Sequence, residues 1–249
     1  MTDYGLSGKT AVIAGGSGLI GAGISEVLAE NGCDLVLGYQ RHQNRAESLA
    51  QNLRAAYGVQ AQSVRTDVAE EGGAERLFDC ADKLGGADIL VCALGHFQSR
   101  ELKFVDMNLQ WFESFYRDNL DAVFYLYRAF ARHVRGRKTE GNVVTVVEIP
   151  PVNPGENGRV AYGMVKESIL ALTKTFAAEA YSYGIRVNAV LPGFVEGTRQ
   201  YDKETMENRS LAGRYASPRE IGNACAFLCS DASAFSIGTV LDVSGGRKF

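Results

Sequence analysis

Proline is scarce in this chain, five in 249 residues, and no stretch rich in proline, serine or glycine separates one part from another. That argues against an internal linker and for one domain spanning residues 1–249. Long apolar runs are missing as well: none approaches the roughly 20 residues a membrane helix needs. The opening "MTDYGLSGKT" lacks a basic region followed by an apolar one, so no export signal is expected and a cytosolic location is. No charge predominates, with 26 Lys and Arg scattered among 29 Asp and Glu for a formal net charge of −3. This excludes the basic stripe that nucleic-acid binding requires. Histidine is limited to three residues, and the five cysteines form no Cys-x-x-Cys pair. No metal site is expected, and Cys225 and Cys229, one helical turn apart in "NACAFLC", read as core packing.

What is abundant is the short aliphatic run. "TAVIAG" (10–15), "DLVLGY" (34–39), "QAQSVRT" (60–66), "DILVCA" (88–93), "NVVTVVE" (142–148), "IRVNAVL" (185–191) and "TVLDVS" (239–244) read as strands. Between them lie helical stretches near 19–31, 43–57, 70–84, 108–136, 160–183 and 218–229. Strands without polar alternation, each followed by a helix, predict a parallel sheet covered on both faces: a doubly wound, three-layer α/β fold of Rossmann type.

The first strand runs into "AGGSGLIGAGI", where Gly15, Ser17, Gly18, Leu19, Ile20 and Gly21 open the first helix. Glycine permits a sharp turn and close approach to a pyrophosphate, whose charge is met by free N–H groups at the helix N-terminus. An acid that would hydrogen-bond the ribose of NAD is absent after the second strand. "GYQRHQNR" instead supplies Tyr39, Arg41 and Arg45, which favours the 2′-phosphate of NADP(H) over NAD(H); the alternative is arginines that only solvate a loop. Asp67, before Val68 at the end of the third strand, is placed to accept from an adenine amino group or to cap the next helix.

At the other end, Tyr162 and Lys166 are one turn apart on a helix whose apolar residues fall at 165, 169, 172 and 176. A phenol is a poor acid at neutral pH, and a nearby ammonium favours its phenolate. Asn119 shares a stripe with Phe112, Phe115, Val123 and Phe130, which places an amide on a buried face.

"GKTAVIAGGSGLIGAGI", "TDV", "YRDNLDAVF", "YGMVKESILALTKTFAAEAYSYGIRVNAVLPGFVEGT" and "RYASPREIGNACAFLCSDASAFSIGTVLDVSGG" together resemble the short-chain dehydrogenase/reductase family from Gly8 to Gly246. The resemblance implies a homo-oligomer, usually a tetramer, that moves hydride between NAD(P)H and a small organic substrate. It makes Tyr162 the proton donor, Lys166 the holder of the nicotinamide ribose, and Asn119 the support of a water-linked proton path. Gly95 would lie beside the adenosine, and Pro192, Gly193 and Val195 would dock the nicotinamide amide. Thr198 comes one residue later than the family's threonine.

Three departures stand out. Ala14 replaces a threonine before the glycine turn. "CALG" (Cys92–Gly95) replaces Asn-Asn-Ala-Gly and loses an asparagine that ties strands together, at an expected local cost in stability. Glu148, or Ile149 if the loop carries no insertion, stands where the family has serine. An ionised glutamate accepts but does not donate. It would oppose a developing alkoxide and favour a protonated C=N group, as does the aspartate in this place in pteridine reductases. The expectation is therefore an NADP(H)-dependent reductase of a C=O or C=N group, with a non-redox isomerase, cyclase or nucleotide-binding regulator as the alternative. Its pocket would be formed by residues 148–157, His96 and Phe97, under a mobile lid near 198–214.

Overall fold

The Val-, Ile- and Leu-rich runs form seven strands: β1 (Thr10–Ala14), β2 (Asp34–Tyr39), β3 (Ala61–Arg65), β4 (Ile89–Cys92), β5 (Gly141–Val146), β6 (Ile185–Pro192) and β7 (Val240–Val243). In the computed structural model, which describes residues 4–95, 102–148, 159–198 and 202–246, they make one sheet in the order β3-β2-β1-β4-β5-β6-β7. Every pairing is parallel. The helices are α1 (Leu19–Glu30), α2 (Gln43–Tyr57), α3 (Glu75–Asp82), α4 (Leu109–Tyr116), α5 (Ala122–Arg137), α6 (Val160–Ala180), α7 (Lys203–Arg209) and α8 (Pro218–Cys229). The doubly wound fold expected from the alternation is the one observed.

The two faces of the sheet have separate cores. Alternate residues of the central strands, Val12, Val36, Leu90 and Val143, pack with residues of α3, α5 and α6 such as Leu77, Phe130 and Val165. Their neighbours Ile13, Leu35, Val91 and Val144 pack with Ile24 and Leu28 of α1, Leu53 of α2 and Ile221 and Cys225 of α8. Burying each such aliphatic side chain contributes about 1.5–3 kcal/mol, which is why these strands tolerate no polar alternation.

The expected helix over 108–136 is interrupted. Residues Arg117–Asp121 form a wide π-helical turn between α4 and α5. There the Asn119 side-chain amide donates to Phe115 O at 2.9 Å, the carbonyl that a regular α-helix would pair with the Asn119 backbone N–H. The expected helix over 70–84 begins later, at Glu75, because turns following Asp67 occupy the intervening residues.

Helices α1 and α8 meet at backbone distance. A Cβ on Gly222 would lie 2.7 Å from Gly23 O and 2.8 Å from Val27 Cγ2. The approach is fixed from below by a capping box at the start of α8, in which Glu220 N is bonded by Ser217 Oγ and the Glu220 carboxylate accepts from Ser217 N. Gly222→Ala is expected to cost about 1–3 kcal/mol by overpacking, lowering Tm by about 3–10 °C in a thermal melt. An unchanged Tm would show that α1 and α8 separate freely.

Candidate active site

Strand β1 lies between β2 and β4, so the chain crosses sides after β3 and leaves a crevice beyond the carboxyl ends of these strands. In open α/β sheets this is where ligands bind. A cavity of about 350 Å³ occupies it, lined by the glycine turn, by the ends of β2, β3 and β4, and by Asp118 and Ala122. Gly15 has φ +80°, and a Cβ there would stand 2.6 Å from Ala93 O, while one on Gly21 would stand 2.1 Å from Gly15 O. The turn therefore closes only with hydrogen at both places. Gly18, the N-cap of α1, brings no side-chain cap, so the helix's first N–H groups and its dipole are left for an anion. The residues fit the adenosine and pyrophosphate portion of a dinucleotide.

The polar lining at the end of β2 is Tyr39, Gln40, Arg41, His42 and Arg45, with no carboxylate among them. Asp67, at the end of β3, accepts from Ala69 N at 3.0 Å and from Gln40 Nε2 at 2.6 Å. It closes a local turn and lines the cavity; it does not cap the next helix, which begins only at Glu75 with Ala74 as its N-cap.

Gly95 joins this cavity to the second group of residues. A Cβ there would lie 3.0 Å from Asn119 Oδ1 and 3.1 Å from Lys166 Nζ. Lys166 Nζ itself lies 3.4 Å from Asn119 Oδ1 and 5.4 Å from the centre of the Tyr162 ring. The buried stripe of α6, with Ala161, Val165, Ile169 and Ala177, holds the helix against β5 and β6 and turns its first turns inward. Tyr162, Lys166 and Asn119 are 1, 6 and 0 % exposed. Burial lowers the Lys166 pKa, and the Glu148 charge works in the opposite direction. Glu148, two residues past β5, is exposed and accepts a hydrogen bond at Oε2 from the Tyr162 hydroxyl.

The four expected catalytic residues thus come together. Of the expected cofactor residues, Gly15, Ser17, Gly18, Tyr39, Arg41, Asp67, Val68 and Gly95 line the cavity. Leu19, Ile20 and Gly21 form the first turn of α1 beside it. Pro192 ends β6, Gly193 packs so closely that a Cβ would meet Ser244 O at 2.7 Å, and Val195 is buried beneath the loop that follows. Thr198 bends back, its hydroxyl donating to Val195 O at 2.6 Å. His96, Phe97 and residues 149–157 of the expected pocket, with Ile149 among them, lie outside the described residues, as do 199–201 of the expected lid. In the described part of that segment α7 buries Met206, and Leu211 and Ala212 donate backbone hydrogen bonds to Gly246 and Gly245 at 2.8 and 2.9 Å.

The sequence reading passed over Gln40, His42, Thr66, Ala69 and Asp118 as cavity residues. Four of these directly follow β2 or β3, so the rule that ligands sit beyond strand carboxyl ends would have found them. Asp118 had no comparable signal. Among the described residues, no group of three or more His, Cys, Asp or Glu is placed to hold a metal, and no helix is long and apolar enough to cross a membrane.

A lowered Lys166 pKa has a definite sign in stability. The native state binds this proton less readily than the unfolded chain does, so the charge is a cost at neutral pH that vanishes as pH rises through the ordinary value of 10.5. Lys166→Met keeps the volume and removes the buried charge. It should hold or raise Tm at pH 7, and the gain should shrink as the melt is repeated towards pH 10.5. A clear loss of Tm at pH 7 would contradict this account of the site.

The family model described as enoyl-(acyl carrier protein) reductase matches residues 14–248. The oxidoreductase YmfI of Bacillus subtilis is 33 % identical over 246 residues, covering 96 % of this chain and 98 % of its own. The 3-oxoacyl-[acyl-carrier-protein] reductase FabG of Vibrio cholerae is 32 % identical over 248 residues, covering 97 % and 98 %. Among solved structures, L-sorbose reductase from Gluconobacter frateurii, complexed with NADPH and L-sorbose, superposes with a TM-score of 0.88 at 28 % identity over 98 % of each chain. With this likeness running almost end to end, and with the site assembled as described, the chain belongs to the short-chain dehydrogenase/reductase family of nicotinamide-dependent oxidoreductases.

Proposed function

We propose that this protein is an NADPH-dependent oxidoreductase that adds hydride to a C=O or C=N group of a small organic substrate, with Tyr162 as proton donor. The observation that carries the reading is the buried meeting of Tyr162, Lys166 and Asn119 next to a cavity that fits the adenosine and pyrophosphate portion of a dinucleotide, with Gly95 between the two. The nicotinamide, when bound, supplies the hydride. Tyr162 supplies the proton to the atom left negative by that addition. Lys166 holds the ribose and sets a positive charge beside the phenol, and Asn119 holds Lys166. Pro192, Gly193 and Val195 form the backbone against which the nicotinamide amide docks, with Thr198 at its edge. Arg41 and Arg45 line the adenosine end where the 2′-phosphate of NADPH would sit. NADPH is also the coenzyme named with the solved L-sorbose reductase.

A homo-oligomer fits the exposed Phe104, Val105, Leu109, Phe124 and Tyr125, which leave apolar surface near and along α4 and α5. A reducing cytosol fits the five free, buried cysteines.

Glu148 favours C=N reduction as a second reading. A carboxylate about 4 Å from a developing alkoxide costs a few kcal/mol at an effective dielectric of about 20, whereas the same charge stabilises an iminium. In both readings Tyr162→Phe should remove turnover by 10²–10⁴-fold while NADPH affinity changes little. NADPH consumption across ketones, cyclic imines and pterins identifies the reacting group. Glu148→Ser should move the kcat/KM ratio towards ketones; an unchanged ratio would count against the C=N reading. No turnover on any of these classes would favour the non-redox alternative.

NADPH should bind more tightly than NADH, and Arg41→Glu should cut that preference by about ten- to a hundredfold, the value of a lost charge-assisted contact. Equal affinities for the two coenzymes in a fluorescence titration of the wild type would defeat the assignment.

A further inference from the structure

The hydroxyl of Tyr162 carries one proton, and in this structure the phenol donates and Oε2 of Glu148 accepts. A phenol can also accept through its oxygen, so a substrate hydroxyl meeting it here would find an acceptor already linked to a base. Tyr162 is buried, whereas Glu148 is exposed. The carboxylate is thus a covalently fixed step between an enclosed phenol and bulk water.

We propose that Glu148 is a proton relay between Tyr162 and solvent, and that its protonation selects the direction of hydride transfer. This rests on the reading of Tyr162 as the acid–base group. With Glu148 ionised, an alcohol substrate passes its hydroxyl proton to the Tyr162 oxygen as the phenol proton moves to Glu148. The carbon–hydrogen bond breaks as hydride leaves for the oxidised nicotinamide, and water removes the proton from Glu148. With Glu148 protonated the chain reverses. Hydride from the reduced nicotinamide adds to the carbonyl carbon, Tyr162 protonates the oxygen, Glu148 restores the phenol, and water reloads Glu148. Each direction moves one hydride and one proton.

Among the described residues, the ionisable groups brought to Glu148 are Tyr162 and Lys166, both on α6. Asn119, from the π-helical turn, is neutral and holds Lys166 on its other side. In the oxidative direction Glu148 takes the proton, and in the reductive direction it has to be loaded with one. Serine in this place could not store a proton from water between turnovers.

The test uses the full-length enzyme with NADP⁺ and NADPH and a substrate pair that it interconverts. In the wild type, kcat for reduction should fall and kcat for oxidation should rise with pH across one shared ionisation. Glu148→Gln, which is isosteric and cannot relay, should lose that ionisation from both profiles and drop kcat by about 10²-fold or more. Glu148→Ala should be rescued by added formate or acetate, with the gain saturating in the anion, while Glu148→Gln should not respond. Glu148→Gln keeps an acceptor for the Tyr162 hydroxyl and should melt within a few degrees of the wild type, and melting curves of both variants separate loss of relay from loss of fold. Wild-type pH profiles retained by Glu148→Gln, or Glu148→Ala unmoved by formate, would overturn the relay and leave the oxidoreductase reading standing. No turnover by the wild type with either coenzyme would overturn both.

Discussion

An ammonium removed from water is costly unless its surroundings return what hydration supplied, and most of the site follows from holding one at Lys166. Its charge is wanted beside the phenol of Tyr162, which fixes the two residues one turn apart on α6. Its approach to the cavity requires Gly95 to lack a side chain, since a Cβ would press within 3.1 Å of Nζ. Its partner, Asn119, has to present an amide oxygen from a fully buried position, and the wide turn between α4 and α5 provides it by satisfying the amide nitrogen on Phe115 O. The irregular helix and the lysine meet at this residue, whose amide nitrogen is bonded to Phe115 O and whose amide oxygen faces Nζ. Burial still depresses the Lys166 pKa, so compensation is partial. The site retains a cationic group that is poised rather than fully stabilised, the usual condition of groups used in proton transfer.

The sheet converts this local arrangement into a binding geometry. Parallel pairing of Ala14 with both Gly38 and Cys92 brings the ends of β1, β2 and β4 level. The glycine turn, the arginine-bearing loop and the "ALG" segment consequently open onto one crevice. Helix α1 then aims its N-terminus into that crevice, and its close contact with α8 through Gly23 and Gly222 sets the angle. A nucleotide end and a chemical end on opposite sides of β4 follow from strand order alone.

Much of this was legible in the chain because the fold is written in local signals. Uninterrupted aliphatic runs announced buried parallel strands, the clustered glycines marked the sharp turn after β1, and the Tyr-x-x-x-Lys spacing put two side chains on one helical face. The π-helical turn was not legible. The stripe Phe112, Phe115, Asn119, Val123, Phe130 fits a regular helix well enough, and the irregularity arises from a tertiary demand on Asn119. Nor was the hydrogen bond from Tyr162 to Glu148. Spacing could bring Glu148 near the site but not choose between solvent and phenol, and the choice was settled by where β5 ends. The charges of the expected lid near 198–214 gave no sign of the contacts made by its described part, where Met206 is buried and Ser210 Oγ donates to Gly245 O at 2.9 Å.

Below the ends of β4 and β5, side-chain hydroxyls tie the strands to the helices that cover them. Thr145 of β5 bonds the thiol of Cys92 on β4, pulling its pKa down against a burial that pushes it up to about 12. Thr145 also meets the Tyr127 hydroxyl from α5, which reaches Thr173 of α6 at 2.9 Å. Thr173 in turn donates to Ile169 O at 2.8 Å. This chain spans two strands and two helices with every member buried, where an unpaired hydroxyl would be expensive and a paired one is rigidifying. It lies directly beneath the residues that matter: Thr145 is three residues before Glu148, and Ile169 is one turn beyond Lys166. Polar satisfaction in the core and placement of Tyr162, Lys166 and Glu148 above it therefore share the same two elements, β5 and α6. Glu148 stands above this layer, an exposed carboxylate that reaches the core only through the buried Tyr162 hydroxyl and the charge of buried Lys166.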